Sequence, residues 1–166
     1  MKIRLLHECD AEVYRVIRLE ALKNHPEAFS SSYEQEHVRP IEQFRERFRN
    51  EGAYTFGAFD HEALVGIVTL VRESHDKLRH RANIVGMYVK SEKRGQGIGK
   101  LLVNTALHRA RQIEGLEQVY LSVISSNVSA KKLYLTCGFQ VFGTEKNALK
   151  LGENNYFDED HMVIFL

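Results

Sequence analysis

Cysteine is nearly absent from the chain. Cys9 and Cys137 are far apart and outside any CxxC pattern, which excludes a disulfide framework and a cysteine-based zinc site. Histidine has no metal-binding arrangement either: the eight residues form no HxxxH pair with a neighbouring acid, and the closest two, His75 and His80, lie in a polar stretch where solvent exposure is expected. No apolar run approaches the ~18 residues of a membrane span, and the N-terminus lacks an apolar signal core. A soluble, cytoplasmic protein without membrane contact is therefore expected. An excess of one charge is also missing. Lys and Arg number 23 against 22 Asp and Glu, interspersed along the sequence, so there is no basic stripe for nucleic acid and no acidic tail. Internal repeats and low-complexity tracts are absent. What remains is 166 residues with 43% hydrophobic content, enough for one core and one domain over residues 1–166.

The pattern predicts alternating strands and helices. Lys2 to Leu6 reads as a strand, and Asp10 as the cap of a helix carrying Val13, Val16, Ile17, Leu19 and Leu22 until Asn24-His25-Pro26. Residues 27 to 39 are polar, with Ser30 to Ser32 in a row, and read as a loop. Pro40 is expected as a first helical residue, ahead of Ile41, Phe44 and Phe48 on one face, with Gly52 as the stop. Two strands flank the turn Asp60-His61-Glu62, and residues 82 to 90 make the next. A helix then runs to about Gln112, followed by a strand from Gln118 to Ile124 and an Asn127-capped helix that Gly138 closes. Phe139 to Phe142 and His161 to Leu166 are strand-like, and the polar stretch from Gly143 to Asp158 is ambiguous.

The most informative segment is Lys93-Arg94-Gly95-Gln96-Gly97-Ile98-Gly99-Lys100, between the run Ile84 to Val89 and a helix start. Strand, glycine-rich turn and helix in that order make a phosphate site. Glycine lets the backbone approach an anion without a Cβ in the way, and the free N–H groups of the first helical turn point at it. A Walker loop needs Gly where Arg94 stands and Ser or Thr where Leu101 stands. A dinucleotide fingerprint needs GxGxxG directly after its strand, whereas here the spacing is GxGxG and Lys90 to Arg94 intervene.

Arg94-x-x-Gly97-x-Gly99 instead resembles the pyrophosphate loop of the GNAT superfamily of N-acetyltransferases, which bind acetyl-coenzyme A. A second segment, Asn127-x-x-Ala130-x-x-x-Tyr134-x-x-x-Gly138-Phe139, is similar to that family's capped helix, tyrosine and Gly-Phe turn. The order of elements matches the family over nearly the whole chain. The resemblance implies an α/β (α+β) fold with a mixed, mostly antiparallel sheet flanked by helices, and an enzyme using acetyl-CoA as cosubstrate. It further implies that the backbones of the strand Met87, Tyr88 and Val89 hold the pantetheine arm, Met87 and Val89 above all. The pyrophosphate would rest on Arg94, Gly95, Gln96, Gly97, Ile98, Gly99 and Lys100. Asn127 either touches the pantetheine arm or only caps its helix.

Acyl transfer to an amine needs a neutral nucleophile, stabilisation of the oxyanion and a proton for the leaving thiolate. Tyr134 resembles the family tyrosine that gives this proton; its alternative role is to pack beside Leu133 and Phe139. Some members carry a glutamate where this chain has Asn83, which cannot act as a base, so Glu34, Glu36, Glu73, His80, Tyr156, Asp158 or a water relay stand as candidates. Cys137 reads as a core thiol and not as an acyl carrier, which favours direct attack in a ternary complex. The acceptor site is expected between residues 27–39 and 145–158, where Tyr33, Glu34, Glu36, Glu153, Tyr156 and Asp158 suit a small amine or polyamine. A protein N-terminus or lysine is the alternative acceptor, and a non-catalytic acetyl-CoA sensor or an enzyme that binds a nucleotide on the same loop are the rival functions. A homodimer is compatible with the fold.

Overall fold

A computed structural model describes residues Met1–Leu166. Twelve elements follow one another: β1 (Lys2–Leu5), α1 (Ala11–Asn24), α2 (Tyr33–His37), α3 (Ile41–Arg49), β2 (Ala53–Asp60), β3 (Ala63–Arg72), β4 (Arg81–Val89), α4 (Ile98–Arg111), β5 (Gln118–Ile124), α5 (Val128–Thr136), β6 (Gln140–Lys150) and β7 (Tyr156–Phe165). The strands form one sheet in the order β1-β2-β3-β4-β5-β7-β6. All neighbours are antiparallel except β4 and β5. The expected mixed, mostly antiparallel sheet flanked by helices is what the chain builds.

Each face of the sheet carries its own core. Helix α4 repeats buried residues at Ile98, Leu102, Ala106 and Ala110, one stripe at helical spacing, and packs them with Val68, Leu70 and Val119 of the sheet. On the opposite face Tyr14, Ile17 and Ala21 of α1 and Phe44 of α3 meet Phe59, Leu64 and Ile67. Phe44 is fully buried. A ring so placed is worth roughly 3–5 kcal/mol against alanine.

Four sequence expectations change. The segment read as a loop contains α2, because Ser32 and Gln35 form a capping box, with Gln35 N–H donating to Ser32 Oγ at 3.2 Å, and because Glu36 is pinned from outside the segment. Arg47 Nη2 donates to Glu36 Oε1 at 3.0 Å, and Arg18 lies 3.6 Å from the same oxygen. Asp10 does not cap α1 with its side chain; its carboxylate turns to Arg4, which donates to it twice at 2.7 Å, and to the His7 N–H. Pro40 is the residue before α3, with an extended ψ of 152°, instead of the first inside it. The ambiguous polar stretch belongs largely to a β6–β7 hairpin. Strand β6 is an edge exposed on much of its surface, so it shows no alternation of apolar residues, and its backbone is satisfied by pairing with β7.

Candidate active site

Strands β4 and β5 pair only through Arg81–Gln118, Ala82–Val119 and Asn83–Tyr120 and then part. The parting follows from a bulge: between Val85 and Tyr88, β4 holds one residue more than β3 does between Ile67 and Thr69. Gly86 occupies it at φ +62°, a left-handed conformation that glycine adopts without strain. Past the bulge, Lys90 N–H donates to the Val65 carbonyl at 2.9 Å. Alternation along the strand therefore turns the backbone groups of Met87 and Val89 away from β3 and into the gap. Tyr88 pairs with Ile67 of β3 and donates its hydroxyl to Glu20 at 2.9 Å, so its backbone faces the sheet.

The glycine loop closes one end of this gap. No carbonyl accepts the backbone N–H groups of Gly95 through Lys100, six in succession at the start of α4. Gly95 and Gly97 have φ of +76° and +78°, and a Cβ built on either would meet nothing within 4 Å. The donors thus face open space, where the helix dipole favours an anion. Gly99 differs, since its Cβ would lie 3.0 Å from Leu133 and 3.2 Å from Met87, so its smallness lets α4 approach α5. Ile98 is buried in the core and Lys100 is exposed in the first helical turn, bordering the cavity; Gln96 is exposed beside it. Arg94 folds back from the loop, with Nε donating to the Val89 carbonyl at 2.9 Å and Nη2 meeting His25 Nε2 at 2.9 Å.

Together these residues line a cavity of about 430 Å³ that also includes Ile84, Gly86, Ser122, Asn127, Leu133 and Tyr134. Asn127 caps α5, its Oδ1 accepting from Ala130 N–H at 3.1 Å, and borders the cavity as well. Tyr134 is buried, with its ring edge-on to Phe139 at 6.1 Å, and no protein hydrogen bond engages its hydroxyl. Burial raises its pKa far above the ordinary phenol value, so it keeps its proton at any working pH. Cys137 is half-buried against the core, and burial raises its thiol too, which removes the thiolate that acyl carriage requires.

A second cavity of about 730 Å³ adjoins the first, sharing Phe29, Val85, Gly86 and Ser122 with it. Its walls come partly from the segments expected, through Phe29, Ser30, Ser31 and Leu149. The acidic and aromatic residues expected there lie elsewhere. Tyr33 and Glu34 border a third cavity of about 570 Å³ that adjoins the second through Phe29, Ser30, Ser31 and Leu149, Glu36 is enclosed by arginines, Tyr156 and Glu153 are exposed, and Asp158 is held by Lys146 and the Asn147 N–H. None of the six candidate bases reaches either wall. Glu73 instead accepts from Asn83 Nδ2 at 2.7 Å, and His80 gives its carbonyl to the Glu117 and Gln118 N–H groups.

Sequence reasoning missed three residues that the sheet assembles. Ser122 and His161 face each other across β5 and β7, and Ser122 Oγ is 2.8 Å from His161 Nδ1. His161 Nε2 is 3.1 Å from Glu145 Oε2 on β6. An ionised Glu145 only accepts, so Nε2 carries the ring hydrogen and Nδ1 is left to accept from Ser122. Ser122 borders both cavities. Beside it, burial holds the Glu159 carboxyl above its ordinary range, Glu145 adds to this, and protonation of His161 would oppose it. No spacing signals such a set, because its members are joined only by strand register.

Comparison with known proteins identifies the family that shares this architecture. The model of the Acetyltransferase (GNAT) family matches residues 18–139, and the chain belongs to that family. Human N-acetyltransferase 8 is 36% identical over 93 residues, which are 55% of this chain and 40% of that protein, so the match spans less than half of that relative. The acetyltransferase of GNAT family from Streptococcus pneumoniae shares the fold at a TM-score of 0.88, with 20% identity over 99% of each chain. A phosphinothricin acetyltransferase from Sinorhizobium meliloti, solved in complex with AcCoA, matches at a TM-score of 0.83 and 22% identity over 99% of this chain and 88% of its own.

Proposed function

We propose that this protein is an acetyl-CoA-dependent N-acetyltransferase acting on the primary amine of a small molecule by direct attack in a ternary complex. The observation that carries this reading is the pair of adjoining cavities, one of them ending at six free N–H groups, which meet at Gly86 and Ser122. The first suits coenzyme A. Its pyrophosphate would accept from the loop amides of Gly95 to Lys100, and its pantetheine arm would pair with the Met87 and Val89 backbones.

Acetyl-CoA supplies an activated acyl group on a good leaving thiol. The chain's part is orientation and proton traffic. The amine nitrogen forms a C–N bond to the acyl carbon while the C–S bond breaks. Tyr134 donates its proton to the departing sulfur and is left as phenolate; burial keeps the phenol protonated until the sulfur takes up negative charge. The amine proton passes to His161 Nδ1, directly or through Ser122 Oγ, with Glu145 fixing the ring. After product leaves, His161 gives up its extra proton and Tyr134 recovers one, both through solvent, so the cycle closes with no net change.

Isothermal titration with acetyl-CoA, followed by thiol release against a panel of amines in the same sample, tests this. Binding in the micromolar range with release for one amine class is the expected result. Binding without release from any small amine, N-terminal peptide or lysine peptide would favour a sensor, and absence of binding would remove the coenzyme A assignment.

A further inference from the structure

The larger cavity holds a buried cation that the transfer chemistry leaves unused. Arg18, on α1, is 7% exposed, and none of its guanidinium nitrogens makes a hydrogen bond within the protein. Its nearest carboxylate, Glu36, lies 3.6 Å away and is shared with Arg47 at 3.0 Å and Arg39 at 4.0 Å. One carboxylate therefore faces three guanidiniums. The Phe29 ring packs on Arg18 at 4.8 Å and keeps it from bulk water. A buried charge without hydrogen bonds is strongly unfavourable unless a further partner is brought to it.

The surroundings say what that partner is. Among the side chains on this cavity's wall, Arg18, Arg47 and Arg81 are positive and Glu159 is the single carboxylate. Arg81 has no ion pair, lies over the Tyr120 ring at 4.1 Å, and leaves its buried Nε without a partner. The wall also offers Thr55, Thr69, Ser30, Ser31 and Asn83, neutral groups that can hydrogen-bond an anion. Position matters as well. Arg18 Nη1 lies 4.0 Å from where a Cβ on Gly86 would be, so the guanidinium abuts the bulge at which the two cavities meet.

We infer that Arg18 binds a carboxylate of the acceptor, so that the substrate is a small amine carrying a carboxylate, an amino acid being the simplest. This rests on the acetyltransferase reading above. Planar guanidinium recognises a carboxylate through two parallel N–H···O bonds, which would satisfy donors now unpaired. With the anion held beside Gly86, the amine can reach the junction only if it is a few bonds away. The same excess of positive charge disfavours spermidine and other polyamines, which carry no anion to place against it.

Thiol release is measured for each common amino acid and for the decarboxylated amine with the same side chain, with spermidine alongside. At least one amino acid is expected to exceed its decarboxylated partner in kcat/KM by a hundredfold or more. Arg18→Met should erase that preference, lowering kcat/KM on the amino acid about a hundredfold while the rate on the decarboxylated amine and the Kd for acetyl-CoA stay within about threefold. Arg18 is also one of the cations around the buried Glu36, so some loss of Tm is expected in Arg18→Met; Arg18→Gln provides a second, polar variant, and both are compared at a temperature where each is folded. Equal rates on amino acids and their decarboxylated partners, faster turnover of spermidine, or a preference that survives in both variants would overturn the inference. If no amine is turned over, the acetyltransferase reading fails separately; calorimetry of the amino acids into the protein saturated with coenzyme A then decides, because carboxylate binding lost in Arg18→Met supports the anchor and no binding refutes it.

Discussion

Replacing Gly97 with valine separates the phosphate loop's chemistry from its folding. In the free protein nothing lies within 4 Å of a Cβ at this position, so no clash opposes the substitution. The backbone does resist it, because φ is +78° and a left-handed conformation costs an L-residue roughly 1–2 kcal/mol. For a chain of this size that is a fall in Tm of about 2–8 °C. The ligand meets a larger obstacle. A branched side chain would project into the space in front of the six N–H donors, and losing two charge-assisted hydrogen bonds at about 1.5 kcal/mol each weakens binding by at least roughly a hundredfold. Calorimetry with coenzyme A reads the Kd and a thermal melt reads the fold. A lowered Tm with unchanged Kd would show that the loop is not where the pyrophosphate binds, and the reasoning from free N–H groups would be wrong.

Tyr134→Phe should lower kcat by roughly 10–1000-fold with little change in Kd for acetyl-CoA. Its Tm should stay close to that of the wild type, since no protein hydrogen bond is lost; unaltered turnover would leave Tyr134 as a packing residue only. His161→Asn should cost about a hundredfold in kcat with little change in the Kd for acetyl-CoA, and unaltered kcat would remove His161 from the proton path. Glu145→Gln should lower kcat less, and equal losses in the two variants would count against a positioning role for Glu145. Asp160 governs acid stability. Hydrogen bonds from Lys131 first, then from Thr144 Oγ1 at 2.7 Å and Ser125 Oγ at 2.9 Å, hold this buried carboxyl at about 2 against an ordinary 3.8. A lowered folded-state value stabilises above the unfolded one and is lost as pH falls from about 4 to 2, an effect of roughly 2 kcal/mol. Urea melts of Asp160→Asn should therefore show that deficit at pH 7 and converge with wild type near pH 2, and a deficit constant across pH would refute the linkage.

Much of the fold was legible because local signals agree with it. The stripe Ile98, Leu102, Ala106 and Ala110 spells a helix, and Asn127 accepts from the Ala130 N–H as its capping position implies. Where local and tertiary forces separate, the reading went astray. Asp10 looks like a cap and serves Arg4 instead; the Ser32–Gln35 capping box was hidden in a polar stretch whose one turn of helix depends on Glu36 being held by distant arginines. Strand β6 is an edge and needs no apolar face, so its polar sequence concealed it.

The division at the site has the same cause. Sequence alone determined the glycine loop and the tyrosine helix, since both are continuous segments whose chemistry is a property of local backbone: glycines at φ of +76° and +78° and a helix start with unspent donors. Only tertiary structure assembled the second cavity. Ser122, His161 and Glu145 meet through the register of three strands, and Arg18 becomes a buried cation without hydrogen bonds only when α1, α2 and the Gly86 bulge are packed together. Such placements come from which elements are neighbours in space, and no spacing along the chain encodes them.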